Sequence, residues 1–461
     1  MKIPFLIIGG GLSGLAAAIR FARFNPEVLI LEKHHRIGGL NSYFFRNNQL
    51  FETGLHAITN YAAAKDRRAP LNRLLRQLKL SRDQFQFHQQ IQSEIIFKGC
   101  ASLSFSNDFA MIEEEIARKF PHCQDGFHRL VAFLHSFDPF TIAPFRSARQ
   151  FLNRYIPDRL LVDMLLCPLM FYGSSIEEDM DLGQFAIMFR AIFLEGLFRP
   201  GGTVKDFLDV LLTHYRALGG SLRTGAEVST ILHTGGRIDG VVLATGETIL
   251  CDCLLSTIGI EETLSLLGRP PLPQNSPRLG FVETIFQLQP ALCPQLPEDR
   301  TIIFFNNSAT FHYKKPDTAV DFTSGVICLP QNFAGLPPST RQEIRSTHLA
   351  SYDAWKELAR DRHEYLAEKG KTADHSREVL SAITGDFSRA IVYHDTFTPL
   401  TIERYTAKKE GAIYGHPQKI KDGVLGCDNL FLAGTDQGFL GIIGSMLSGV
   451  SMVNQHMLAR F

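Results

Sequence analysis

Three glycines and one acid near the amino terminus have the types and spacing of a phosphate cradle. Gly9-x-Gly11-x-x-Gly14 directly follows the apolar run Ile3 to Ile8, and Glu32 closes a second apolar run, Val28 to Leu31. Gly9 suits a tight turn, Gly11 lets backbone approach a pyrophosphate, and Gly14 permits close packing of a helix on a strand. Free N–H groups and the positive dipole end at a helix start attract phosphate oxygens. An acid about 20 residues on is placed for a ribose diol. Its charge repels a 2′-phosphate and so argues against NADP.

These residues require a strand, a turn, a helix and a second strand in that order. The run Leu15, Ala16, Ala17, Ala18 supplies the helix, and Asn25-Pro26 breaks it. The same stretch, "FLIIGGGLSGLAAAIRF", is apolar enough to raise an export signal or membrane anchor. Glycines inside the run and Arg20 after it argue against both. A dinucleotide-binding unit is therefore the expectation.

Further motifs follow. Ile37-Gly38-Gly39-Leu40-Asn41-Ser42 comes soon after Glu32, and "LFETGLHAITNY" then brings Glu52, Gly54 and His56. At the far end "NLFLAGTDQGFLGIIGSMLSGV" reads as a strand, a Gly-rich turn at Gly434-Thr435-Asp436 and a helix opening near Gly441 and Gly444. Between them, "GGTVKDFLDVLLTHYRALGGSLRTGAEVSTIL" reads as a helix followed by strands joined by glycine turns.

With these motifs the chain resembles the FAD-dependent oxidoreductases of the amine oxidase and phytoene desaturase superfamily, in its carotenoid desaturase, carotenoid isomerase and retinol saturase-like branch. Gly38, Gly39 and Ser42 match its GG(R)xxS motif, with Leu40 where Arg is common. Glu52 replaces the usual Asp of the following loop, and His56 matches a "GxH". The resemblance implies FAD as cofactor. It assigns cofactor contacts to Gly9, Gly11, Leu12, Ser13, Gly14, Glu32, Lys33, Gly38, Gly39, Leu40, Asn41 and Ser42 at the first end. It assigns Val228, by its backbone, to the adenine and Thr257 to the returning strand end. Gly434 and Asp436 belong near the ribityl–phosphate region, and the amides of Gly441, Ile442 and Ile443 near the isoalloxazine.

The implied fold class is α/β: a Rossmann-like FAD-binding domain assembled from residues 1–60, 200–265 and 405–461, with an inserted α+β substrate domain from 61–199 and 266–404. The first insertion reads as mainly helical. "LLVDMLLCPLMFYGSS" and "GQFAIMFRAIFLEGLF" are apolar beyond what one helix face needs, which suits either a core or a greasy substrate tunnel. The segment "AKDRRAPLNRLLRQLKLSR" carries seven Lys and Arg against Asp66, with Leu71, Leu74, Leu75 and Leu78 at helical spacing. Such a basic amphipathic helix either presents a solvated face or docks peripherally on an anionic membrane.

Composition narrows the classes. Lys+Arg and Asp+Glu both total 47, so no global field points to nucleic acid. Hydrophobic residues make up 45%, which excludes a disordered chain. The eight cysteines are scattered; Cys251-x-Cys253 has no second Cys/His pair at zinc spacing, so no metal is expected and the compartment is a reducing, cytoplasmic one. Candidate acid–base or positioning groups are His56, Tyr414 and His416, the last two from a "GAIYGH" segment that also resembles the desaturase branch. The expected activity is desaturation or cis–trans isomerisation of a lipophilic isoprenoid or carotenoid-like polyene. An amine oxidase-type enzyme and a flavin-free prenyl-protein carrier similar to the GDP-dissociation inhibitors are the alternatives.

Overall fold

The computed structural model describes residues 2–46, 48–54, 57–273, 277–292, 296–337 and 342–460. Strand Lys2–Ile8 runs centrally and parallel between Val28–Leu31 and Thr248–Ser256. Its four last residues are fully apolar and buried, as a strand covered on both faces demands. Ser221–Arg223 extends the parallel set beyond Val28–Leu31. Thr248–Ser256 divides its other edge. Its first half pairs antiparallel with Arg237–Leu243, and its second half pairs parallel with Leu430–Leu432. Val228–Thr234 completes this seven-stranded sheet.

Helix Leu12–Ala22 packs on one face, beside helix Gly441–Met452. Their approach needs small residues. Ala16, Ala17 and Ala18 are buried, and a Cβ on Gly449 would overlap the Ser13 carbonyl. The first and last segments of the chain are thereby joined at backbone contact distance.

A second seven-stranded sheet has the order Ile391–Phe397, Gly280–Leu288, Gln342–Ala350, Ser324–Cys328, Arg300–Asn306, Gln92–Phe97 and Ala101–Phe105. All pairs are antiparallel except Arg300–Asn306 with Gln92–Phe97. The residues 61–199, read from sequence as mainly helical, therefore also contribute two strands. Gln92–Phe97 alternates half-buried and buried side chains, a period of two that the sequence already carried. Helices Arg159–Gly173 and Leu182–Phe189 belong to the largest core cluster, under this sheet.

Helix Pro70–Leu78 is the basic amphipathic segment. Its four leucines are all buried in the protein's own core. The apolar face that would enter a bilayer is thus already covered, and the expectation of membrane docking through this helix is corrected on that ground. No described helix is long and apolar enough to cross a membrane.

Candidate functional site

One cavity of about 1290 Å³ is walled by both large sheets. Gly9, Glu32, Thr257 and Gly434 line it, and each stands just beyond the carboxyl end of a parallel strand of the first sheet. That is where open α/β sheets present ligand sites. Phe281, Glu283, Val326 and Thr347, from the second sheet, line the opposite side.

The glycine loop forms an open cradle. Gly9 has φ +103° and Gly434 φ +103°, a conformation that side chains resist. A Cβ on Gly11 would meet nothing within 4 Å, so its bare Cα faces open space. Helix Leu12–Ala22 starts at Gly11 with no side-chain cap and no acid in its first turn. Helix Gly441–Met452 likewise starts at Leu440 with neither. Both helices thus bring uncapped N–H groups to one cavity, which suits the phosphates and polar ring edge of a dinucleotide.

Glu32 is fixed rather than free. Its carboxylate accepts from the Gly10 amide at 2.7 Å and the His34 amide at 2.8 Å. Burial pushes its pKa up, against the pull of these amides and of Lys33. Lys33 itself is turned to Glu227, 2.8 Å away. The Gly38-Gly39 turn docks on the first loop through Gly38 N–H to the Gly10 carbonyl, 2.9 Å. Ser42 donates its hydroxyl to the Ile37 carbonyl, 2.8 Å, and so closes that turn.

Of the residues assigned from sequence, Gly9, Gly11, Leu12, Ser13, Glu32, Lys33, Gly38, Gly39, Leu40, Asn41, Ser42, Val228, Thr257, Gly434, Gly441, Ile442 and Tyr414 line this cavity. Four do not. Gly14 lies behind the loop, where a Cβ would overlap the Gly9 carbonyl. Ile443 is buried in the core. Asp436, read as a cofactor ligand, is buried away from the wall. Its carboxylate accepts from the Ile260 amide at 2.7 Å and the His416 amide at 2.6 Å. Burial opposes its ionisation, but Lys408, Lys419 and the two amides outweigh this and hold its pKa below the usual value. Asp436 is therefore a buried staple between segments. His416 is also behind the wall: its Nδ1 accepts from the Gln418 amide, and its Nε2 lies 3.6 Å from Glu261. It cannot exchange a proton with anything in the cavity. His56 lies outside the described residues.

Tyr414 reaches the cavity but spends its hydroxyl on the Phe171 carbonyl. Burial pushes its pKa upward, so it presents a ring rather than an acid. Beside it are Phe171, Tyr172, Phe281 and Ile413. Sequence reasoning missed the polar part of this wall. Glu283 faces the cavity and lies 3.5 Å from Arg345, which also bonds Glu343 at 2.8 Å and the Glu52 carbonyl at 3.0 Å. Glu52 in turn accepts from Arg199 at 2.5 Å and from the Val204 amide at 2.6 Å. The only local signal was an acid at an inward position of the strand "GFVETIFQL".

A glycine cradle at the carboxyl edge of a parallel sheet, facing an antiparallel sheet across one large cavity, defines a dinucleotide-binding protein of two-sheet architecture. The comparisons narrow the class. The family model of the flavin containing amine oxidoreductases matches residues 12–454, and the chain belongs to that family. A 4,4'-diapolycopene oxygenase of Methylomonas sp is 24% identical, over 89% of this chain and 87% of its own. An all-trans-retinol 13,14-reductase of Macaca fascicularis is 22% identical, over 100% and 86%. Among solved structures, an oxidoreductase from Methanosarcina mazei superposes with TM-score 0.68 at 16% identity, covering 99% of this chain and 100% of that one. Wild-type putrescine oxidase bound to putrescine gives 0.61 at 15%, covering 98% of each. The protein is an FAD-dependent oxidoreductase, and the open face at Gly11 with two uncapped helix starts fits that cofactor.

Proposed function

We propose that this enzyme acts on an isoprenoid polyene and changes the saturation or the geometry of a carbon–carbon double bond. The observation that carries the reading is similarity, over most of both chains, to enzymes named for a diapolycopene oxygenase and a retinol reductase. The apolar wall of Phe171, Tyr172, Phe281, Val326 and Ile413 supports it. A hydrocarbon offers no hydrogen-bond handle, so shape and apolar contact must align it.

FAD, when bound, supplies the two-electron chemistry. The chain's own residues bind, orient and exclude water. The amides that open helix Leu12–Ala22 would hold the pyrophosphate, and Glu32, its position set by the Gly10 and His34 amides, would accept from ribose hydroxyls. Val228 would border the adenine, and the Gly441 and Ile442 amides would meet the polar edge of the ring system, since all three line the cavity. Tyr414 and Phe281, in edge contact at 5.7 Å, flank the substrate. In this reading residues 1–60, 200–265 and 405–461 form the FAD half, and 61–199 and 266–404 the substrate half. The origins of the two large sheets support that division, while helix Pro70–Leu78, from 61–199, packs in the core of the FAD half.

A second reading, an amine substrate, is supported by the family description and by the Glu283 carboxylate on the wall, although Arg345 already faces it at 3.5 Å. Anaerobic titration of the FAD-loaded protein separates the two. Polyenes in detergent should change the flavin spectrum and primary amines should leave it unchanged; the reverse would establish the amine reading.

We further propose that a lipophilic substrate enters from an anionic bilayer through the loop of residues 140–146. Phe140, Ile142 and Phe145 are 55%, 71% and 55% exposed. Lys421 donates to the Thr141 carbonyl, with Asp181 4.0 Å from the same ammonium, and Arg146 at the end of the loop is exposed. Phe140 stacks on Phe439 at 5.3 Å, two residues before the cavity wall at Gly441.

A further inference from the structure

We propose that Glu195 is a positioning residue that sets, through Asn60, the hydrogen-bonding polarity Thr59 presents to the cavity wall at Gly441. The inference rests on FAD occupying that cavity and is independent of which substrate is used.

The local structure is unusual. Helix Leu182–Phe189 runs into a π-helical turn, Arg190–Leu194, that ends on Glu195. Such turns recur at functional sites because they redirect side chains within a helix. Strand Ile58–Thr59 pairs with Leu197–Phe198. Asn60 then leaves the strand with φ +69°, anchored by its amide to the Ala191 carbonyl at 3.0 Å. This non-glycine, left-handed residue brings two loops together and aims its side chain at Glu195.

A chain of hydrogen bonds results. Asn60 Nδ2 donates to Glu195 Oε2 at 2.7 Å, and Thr59 Oγ1 donates to Asn60 Oδ1 at 2.9 Å. Thr59 lines the cavity, and its hydroxyl abuts the bare Cα of Gly441: a Cβ there would lie 2.8 Å from Oγ1. The direction of this chain follows from charge. An ionised carboxylate only accepts, so the Asn60 amide must point its NH₂ at Glu195 and its oxygen at Thr59. Thr59 must then donate inward and offer lone pairs to the wall. A protonated Glu195 can donate instead. The amide is then free to turn, Thr59 to accept from it, and the Thr59 O–H to point at the wall.

The charged surroundings set where the change falls. Burial raises the Glu195 pKa, to about 7, against its bond to Asn60 and the attraction of Arg190. Asp66, on the facing loop, adds to the rise. Arg190 is itself held by the Leu134 and Phe137 carbonyls, so it stays a fixed, partial counter-charge.

The test uses the FAD-loaded protein, its flavin content measured beforehand, and follows the absorption maximum of the oxidised flavin against pH. The wild type should show one inflection near pH 7. Glu195→Gln should abolish it, and so should Thr59→Val with Glu195 intact. Asp66→Asn should shift it to lower pH, because a like charge is removed. That shift is a readout no merely structural role of Glu195 would move, and it does not require the Glu195 variant to fold. An inflection that survives Glu195→Gln, is missing from the wild type, or ignores Asp66→Asn overturns the proposal. A wild-type protein that takes up no flavin at all would instead overturn the cofactor assignment.

Discussion

Gly11→Ala separates binding of the cofactor from stability of the fold. Gly11 has φ −71°, which any residue adopts, and a Cβ there meets no protein atom within 4 Å. The substitution should therefore cost the flavin-free protein only about 0.5 kcal/mol, the order of a poorer N-cap. With FAD present the methyl occupies the approach of the pyrophosphate. Losing one or two hydrogen bonds between amide and phosphate, each worth about 2 kcal/mol, weakens binding by roughly 2–4 kcal/mol. That is about a 30- to 1000-fold rise in Kd. Gly14→Ala is the contrasting control. Its Cβ would overlap the Gly9 carbonyl, so it should destabilise the flavin-free protein by about 1–3 kcal/mol. Flavin fluorescence titration gives Kd, and urea unfolding of stripped protein gives stability. The reasoning is refuted if Gly11→Ala binds FAD within about threefold of wild type, a change of only about 0.65 kcal/mol. It is refuted equally if that variant loses as much stability as Gly14→Ala.

Three further outcomes follow from the geometry. Arg345→Met removes the buried guanidinium that Glu52, Glu283 and Glu343 share and should cost about 3–5 kcal/mol in urea unfolding. His348 is buried, its Nδ1 bonded to the Ser324 carbonyl, and burial lowers its pKa to about 4. Because its folded pKa lies below the unfolded one, its stability contribution is whole above about pH 6.5 and falls by up to about 3 kcal/mol towards pH 4; His348→Gln should flatten that part of the stability–pH curve. Replacing Phe140, Ile142 and Phe145 together by Ser should abolish sedimentation with phosphatidylserine vesicles while leaving the thermal midpoint within about 2 °C, as expected of exposed positions.

What the sequence made legible was local. The first strand, the glycine loop, helix Leu12–Ala22 and Glu32 are set by neighbours within some 30 residues, and their periods and breakers can be read directly. The glycines at Gly434 and Gly441 were legible for the same reason. Asp436 and His416 misled because an acid or histidine beside a Gly-rich turn looks the same whether it faces a ligand or a backbone amide. Only the position of Ile260, far away in the chain, decides that Asp436 is a staple. The helix Pro70–Leu78 misled in the same way: its leucines need an apolar partner, and the sequence does not say whether that partner is lipid or the protein's own helices. The wall at Glu283, with Arg345 and Glu52, was illegible because it joins residues 52, 199, 283 and 345, which only the strand register brings together.

Product analysis tests the central assignment most directly. Full-length protein loaded with FAD, in its oxidised and its reduced form, is incubated anaerobically with an isoprenoid polyene in detergent, and the polyene is recovered and separated by chromatography. The expected result is a polyene with one double bond gained, lost or re-oriented, formed in proportion to the flavin present. Polyene recovered unchanged from both forms, while a primary amine bleaches the same flavin, would contradict it.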